Sequence, residues 1–294
     1  MKSHSFIISL LVICSITAVW IITGCGAAPS ERPIVTVSIE PQRYILEQIT
    51  GDRVQVRSLL TEGANPESYD PSVTHMHNLG KSLGYLRMGN IGFEVALVDK
   101  ISEANPGLQI FNTSEGVSPI LGTHSHGEHE HTAVDPHTWT SVKNVKIIAR
   151  NMLDAMEQVD PDNKNYYQEN YETFAARLDS LDNVITSKLA PHRGESFMVW
   201  HPSLSYFARD YGLNQVIVGN SENKDNSVND LRTAIDSARA TGARIFFFQK
   251  DIDSRQVSAI NSELQSDEIN INPLSYQWED EIMRIADAIA SHSR

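Results

Sequence analysis

Four histidines, His124, His126, His129 and His131, fall within eight residues, where chance would place fewer than one from 11 histidines in 294 residues. Imidazoles at that density suit borderline-soft divalent metals such as zinc. The run is too polar and glycine-containing to pack a core, so it reads as a loop; a solvated loop without a role is the plain alternative. An affinity tag is disfavoured because the run is internal and interrupted. Directly after it stands Asp135-Pro136-His137-Thr138-Trp139, in which Pro136 fixes the backbone and Thr138 to Ser141 can start a helix, leaving His137 at a helix entrance. His201 follows the apolar run 197–200 and so occupies the C-terminal end of a strand, where open α/β sheets bind ligands. A third candidate, Glu67, lies in the turn-rich segment 61–71 that follows Leu59 and Leu60. Three such strand ends can face one crevice, although His137 and His201 can also be plain structural residues and Glu67 a solvated turn residue. His75 and His77 are two apart on a predicted helix, point to different faces and cannot share a metal. His192 and His292 lie near helix ends and read as surface residues.

The elements that must position these side chains follow from periodicity. Short apolar or alternating runs bounded by turn residues predict strands at 34–40, 54–60, 85–88 and 109–112, then at 197–200, 215–218, 244–248 and 269–272. Helical patterns separate them; at 142–158, Val145, Ile148, Ala149, Met152, Leu153 and Met156 share one face. The expected class is α/β, two lobes, each a four-stranded, mostly parallel sheet flanked by helices. Between them, residues 161–189 carry no glycine or internal proline and place Tyr167, Tyr171, Phe174, Leu178, Leu181, Ile185 and Leu189 at helical intervals. This predicts one helix of about 28 residues, about 42 Å long, as a rigid link. A solvent-exposed coiled-coil segment is the alternative, weakened by an unsustained heptad pattern.

Composition narrows the partners. Against 37 Asp and Glu stand 24 Lys and Arg, and the net charge of −13 would repel a phosphate backbone, so nucleic acid is not expected. Residues 6–22 form an apolar stretch after Lys2, short of the about 20 residues that a membrane span requires, and read as a secretion signal. The Ile22-Thr23-Gly24-Cys25 run that follows resembles the lipobox of bacterial lipoproteins. That resemblance implies cleavage before Cys25 and lipid attachment to its sulfur, with an uncleaved anchor as the alternative. Cys14 would leave with the signal (1–24), so the mature chain would hold no disulfide, which a chain of this length can do without. Residues 25–32 then read as a tether, 33–160 as an N-terminal lobe with the His-rich loop 124–131, 161–190 as the linking helix and 191–294 as a C-terminal lobe.

Four segments together, 63–71 (Gly-Ala-Asn-Pro-Glu-Ser-Tyr-Asp-Pro), 88–94 (Met-Gly-Asn-Ile-Gly-Phe-Glu), 135–139 (Asp-Pro-His-Thr-Trp) and 201–213 (His-Pro-Ser-Leu-Ser-Tyr-Phe-Ala-Arg-Asp-Tyr-Gly-Leu), resemble the solute-binding proteins of bacterial zinc and manganese ABC importers. The resemblance covers nearly the whole chain after the signal, and a His-rich loop just before Asp-Pro-His is typical of the zinc-specific members. It implies that His137 and His201 are metal ligands. Where the family usually has its first ligating histidine this chain has Glu67, a carboxylate that can still bind zinc at about 2.0–2.2 Å. Where some members supply an aspartate near the last strand stands Asn272, a poor ligand, and Gln249 stands where a glutamate is common, at best supporting the ligands. The implied function is capture of a divalent metal outside the cytoplasmic membrane, Zn2+ with Mn2+ as the alternative, and delivery to a membrane permease by a lipid-anchored monomer. The four loop histidines would gather metal at low affinity. The alternatives are a surface adhesin or metal buffer, and a zinc hydrolase with Glu67 as general base; no His-Glu-x-x-His motif supports the latter.

Overall fold

Branched and aromatic runs make the strands. Ile34–Val37 (β1) is followed by Glu40–Thr50 (α1), Gln55–Ser58 (β2), Val73–Leu79 (α2), Gly84–Arg87 (β3), Gly92–Ala104 (α3) and Gln109–Asn112 (β4). These four strands form one parallel sheet in the order β2-β1-β3-β4. Val35, Thr36 and Val37 are all buried, as expected of a central parallel strand covered on both faces. Leu121–His126 (β5) and His129–Val134 (β6) pair with each other as a separate two-stranded sheet, and then come Val142–Val159 (α4) and Lys164–Leu189 (α5). The remaining elements are Ser196–Val199 (β7), Ser205–Tyr211 (α6), Asn214–Ile217 (β8), Val228–Thr241 (α7), Ile245–Gln249 (β9), Ser254–Leu264 (α8), Asp267–Ile271 (β10) and Trp278–Ser291 (α9). Their sheet runs β10-β9-β7-β8, also all parallel. Counted within each lobe, both sheets have the strand order 2-1-3-4.

This description comes from a computed structural model and covers residues 32–60, 64–66, 69–126, 129–219, 228–249 and 254–291. The signal segment, Cys25, Glu67 and His292 lie outside it. Among the described residues, no helix is long and apolar enough to cross a membrane.

Helix α5 has 26 residues, about 39 Å of rise, and follows a short 3-10 turn at Pro161–Asn163. It buries Tyr167, Phe174, Leu178, Ile185 and Leu189, and packs on α4 and α1 of the first lobe and α9 of the second. One apolar cluster therefore runs from Val35 and Tyr85 through Met152 and Phe174 to Phe197, Phe247 and Trp278. The alternation of β9 sends its neighbouring phenylalanines to opposite faces. Phe247 joins that shared core and Phe246 a smaller one with Met198, Ile235, Val257 and Ile260.

Two expectations are corrected. The histidine-rich run is not a loop over its described length but an antiparallel ribbon, with Leu121 opposite Val134, His124 opposite His131 and His126 opposite His129. Its polarity excludes core packing but not backbone pairing, and cross-strand bonds satisfy groups that a loop would leave to water. His192 is not on the surface: it is 5% exposed, its Nδ1 3.2 Å from Glu195 Oε2. The chain turns there from α5 into β7, with Glu195 N donating to His192 O at 3.0 Å, and this turn packs the imidazole inside.

Candidate metal centre

In each sheet the chain leaves the first strand in one direction and the third in the other, so crevices open at the C-terminal ends of β1/β3 and of β7/β9. His201 lies two residues beyond β7, and Gln249 is the last residue of β9. The turn that carries His201 is fixed at both ends. Trp200 N donates to Phe247 O at 2.9 Å, Ser203 N to His201 O at 2.7 Å, and Leu204 N to Gln215 Oε1 at 2.9 Å.

His137 enters from the segment between the ribbon and α4. The backbone there makes a 3-10 turn, Thr138–Thr140, before Ser141 caps α4 by accepting from Asn144 N at 3.2 Å. Asp135 Oδ1 accepts from both His137 N, at 2.9 Å, and His137 Nδ1, at 2.8 Å. Burial alone would raise the Asp135 carboxyl, but the hydrogen bonds and charge of His137, with a hydrogen bond from Ser205, outweigh it and hold the group below the usual carboxylate range. An ionised Asp135 accepts only, so Nδ1 of His137 carries a proton, and Nε2 is the nitrogen through which the neutral ring would bind a metal. Trp139 packs against the ring at 5.3 Å between centroids; its own Nε1 donates to Pro273 O and its carbonyl accepts from Trp278 Nε1, each at 2.8 Å.

These two imidazoles, 64 residues apart in sequence, meet at the junction of the lobes: His137 Nε2 and His201 Nε2 are 3.1 Å apart, with the rings at 75°. Two nitrogens bound to a tetrahedral zinc at 2.0–2.1 Å would stand about 3.3–3.4 Å apart. The pair thus stands within a few tenths of an ångström of that spacing, with His137 only 6% exposed.

The other expected residues divide. Among the described residues no third His, Cys, Asp or Glu joins the pair to make a metal-holding group, and Glu67 lies outside them. The backbones of His124, His126, His129 and His131 lie on the ribbon, separate from both sheets. Asn272 Oδ1 accepts from Leu274 N at 3.2 Å, so its amide oxygen closes a turn. Gln249 donates to Ser203 Oγ at 3.3 Å, and its Oε1 is the one buried side-chain polar atom without a hydrogen bond among the described residues. His75 Nδ1 is 2.7 Å from the Tyr69 hydroxyl.

Sequence reasoning passed over Asp135 as the partner of His137, although a carboxylate two residues before a histidine across a proline was the available signal. It also passed over Glu94. That buried carboxylate closes the end of β3 by accepting from Met88 N and Gly89 N, each at 2.6 Å. Burial raises its pKa, partly offset by hydrogen bonds from Ser38 and those two amides.

Two α/β lobes of like topology, joined by one long helix and holding two converging imidazoles at their junction, define a two-lobed binding protein. The sequence profile of the family described as zinc-uptake complex component A, periplasmic, matches residues 35–290, and the chain belongs to that family. It is 25% identical over 252 residues to the high-affinity zinc uptake system protein ZnuA of Bacillus subtilis, covering 82% of this chain and 78% of that protein. It is 24% identical over 229 residues to the manganese ABC transporter substrate-binding lipoprotein PsaA of Streptococcus anginosus, covering 74% and 72%. A crystal structure of ZnuA superimposes with a TM-score of 0.81 at 30% identity, covering 90% of this chain and all of that one (100%).

Proposed function

We propose that this protein captures a divalent transition metal, zinc in preference to manganese, outside the cytoplasmic membrane and hands it to the permease of an ABC importer. The observation that carries the reading is the 3.1 Å approach of two Nε2 atoms, one of them with its tautomer set by Asp135. Such a pair offers two neutral nitrogen donors, which favours zinc. His137 and His201 are ligands in this reading, and Glu67 supplies an anionic third donor from the segment after β2. The protein works by binding and release and turns nothing over. His124, His126, His129 and His131 gather metal at lower affinity. A signal ending at residue 24 and a lipid on Cys25 hold the mature protein, a monomer, at the membrane. The lobes span 33–160 and 191–294, with 161–190 between them.

The membership of the family and the manganese-named relative support metal capture in general, and the imidazole pair supports zinc in particular. Chelator-competition titration of the parent with zinc and with manganese tests this. Zinc should bind more tightly than manganese, by at least about tenfold; tighter manganese binding would transfer the assignment to that metal, with Glu67 as the decisive oxygen donor.

A further inference from the structure

The His137 imidazole is aimed by Asp135, and Asp135 is in turn held by the helix that begins four residues after His201. Asp135 uses three separate groups. Its N–H donates to Ile120 O at 2.9 Å, its carbonyl accepts from the Tyr206 hydroxyl at 2.9 Å, and its carboxylate accepts from Ser205 as well as from His137. The same Tyr206 hydroxyl accepts from Ile120 N at 3.2 Å. Ile120 and Asp135 are the residues just outside the last ribbon pair, Leu121 and Val134, so one buried phenol ties both roots of the histidine ribbon. Arg209 stacks on the Tyr206 ring, 4.9 Å from its centroid, and donates to Ser118 O at 2.9 Å, so α6 grips the segment leading into the ribbon a second time. Ser205 is itself fixed by Gln215 Nε2 at 2.9 Å.

We infer that Tyr206, with Ser205, is a positioning residue of the metal site: it references His137 to the helix that follows His201, and fixes the base of the ribbon to the same point. The inference rests on the reading of His137 and His201 as ligands. Its physical content is that the two imidazoles, although they come from different lobes, share one short helix as their frame. Their Nε2 separation is then set by α6 and survives small shifts of the sheets against each other. A phenol with its ordinary pKa of about 10 is already a proton donor at physiological pH, and burial raises the Tyr206 hydroxyl further.

Tyr206→Phe removes the hydroxyl and keeps the ring. Zinc affinity would be measured by chelator competition on four full-length proteins: parent, Tyr206→Phe, His137→Ala and the double variant. Groups that support ligands typically change metal affinity by about 10–100-fold; Tyr206, acting through Asp135, should cost about tenfold in the parent. In the His137→Ala background it should cost less than about twofold, because the imidazole it orients is gone. Equal losses in both backgrounds would make Tyr206 a general packing residue and overturn the inference. So would an unchanged affinity in Tyr206→Phe while His137→Ala binds weakly. Unchanged affinity in His137→Ala would instead overturn the ligand reading beneath it. Should Tyr206→Phe fail to fold by thermal melting, Ser205→Ala, which leaves the buried ring in place, should give the same background-dependent loss.

Discussion

The molecule holds histidine in two ways. At the lobe junction His137 is buried, its Nδ1 is fixed by Asp135, its ring packs on Trp139, and it meets His201 across 3.1 Å. In the ribbon, four histidines sit on two strands that, among the described residues, pair with no other strand. Hydrogen bonds and a shared core fix the junction pair as the chain folds. A two-stranded ribbon is marginal on its own, so ordering its side chains on a metal must be met largely from the binding energy. On the proposed reading, the same imidazole donor would give a tight site at the junction and weak sites on the ribbon, because what surrounds the ring differs.

Breaking the junction should have the largest effect. His201→Ala should lower zinc affinity by at least about a hundredfold, roughly 2.7 kcal/mol, in calorimetric competition against a chelator; a loss under tenfold would take His201 out of the site. Next comes Glu67. Glu67→Ala should lose more than about tenfold, about 1.4 kcal/mol, whereas Glu67→His should bind zinc at least as well as the parent and reject manganese more strongly. If neither variant changes affinity or selectivity, Glu67 only decorates its turn. Deleting residues 124–131 should remove weak zinc sites from the isotherm while the tight site stays within about twofold. Loss of the tight site with the ribbon would reverse the assigned roles.

The smallest effect belongs to a contact far along the chain that ties the lobes. The Tyr276 hydroxyl donates to Glu47 of α1, and that bond, followed by burial, pushes its pKa up to about 12. A raised phenol favours the folded state below its unfolded value of about 10, and that contribution is lost as pH rises through about 12. Tyr276→Phe should therefore melt below the parent at pH 8, and the gap should narrow towards pH 12, read by thermal melts of metal-free protein. A gap that widens at alkaline pH would contradict the sign.

Much of the frame was legible because it is written in local patterns. The run 109–112 is a strand as expected, 142–158 is a helix to within one residue, and the glycine-free stretch ending at Leu189 is one long helix. His201 could be placed because an apolar strand runs directly into it. The long-range contacts that position the pair were not legible. The bond from Tyr206 to the carbonyl of Asp135 spans 71 residues, and that from Trp139 to Pro273 spans 134. Both use backbone acceptors, which every residue possesses, so no residue type marks them. Strand ends were overestimated for a related reason. Glu40 continues the alternation of β1 on paper but opens α1, with Pro41 in its first turn fixing helical φ. The ribbon was misread because composition reports what a segment can bury and is silent on what its backbone can pair with.

His137 and His201 are proposed to hold the metal together. A crystal of the full-length protein grown with one equivalent of zinc, with diffraction measured on both sides of the zinc absorption edge, tests it most directly. A single strong anomalous peak should stand at the lobe junction, about 2.0–2.1 Å from Nε2 of both His137 and His201, with a Glu67 oxygen completing the set. A peak confined to the ribbon at 124–131, or one bonded to only one of the two junction imidazoles, would contradict it.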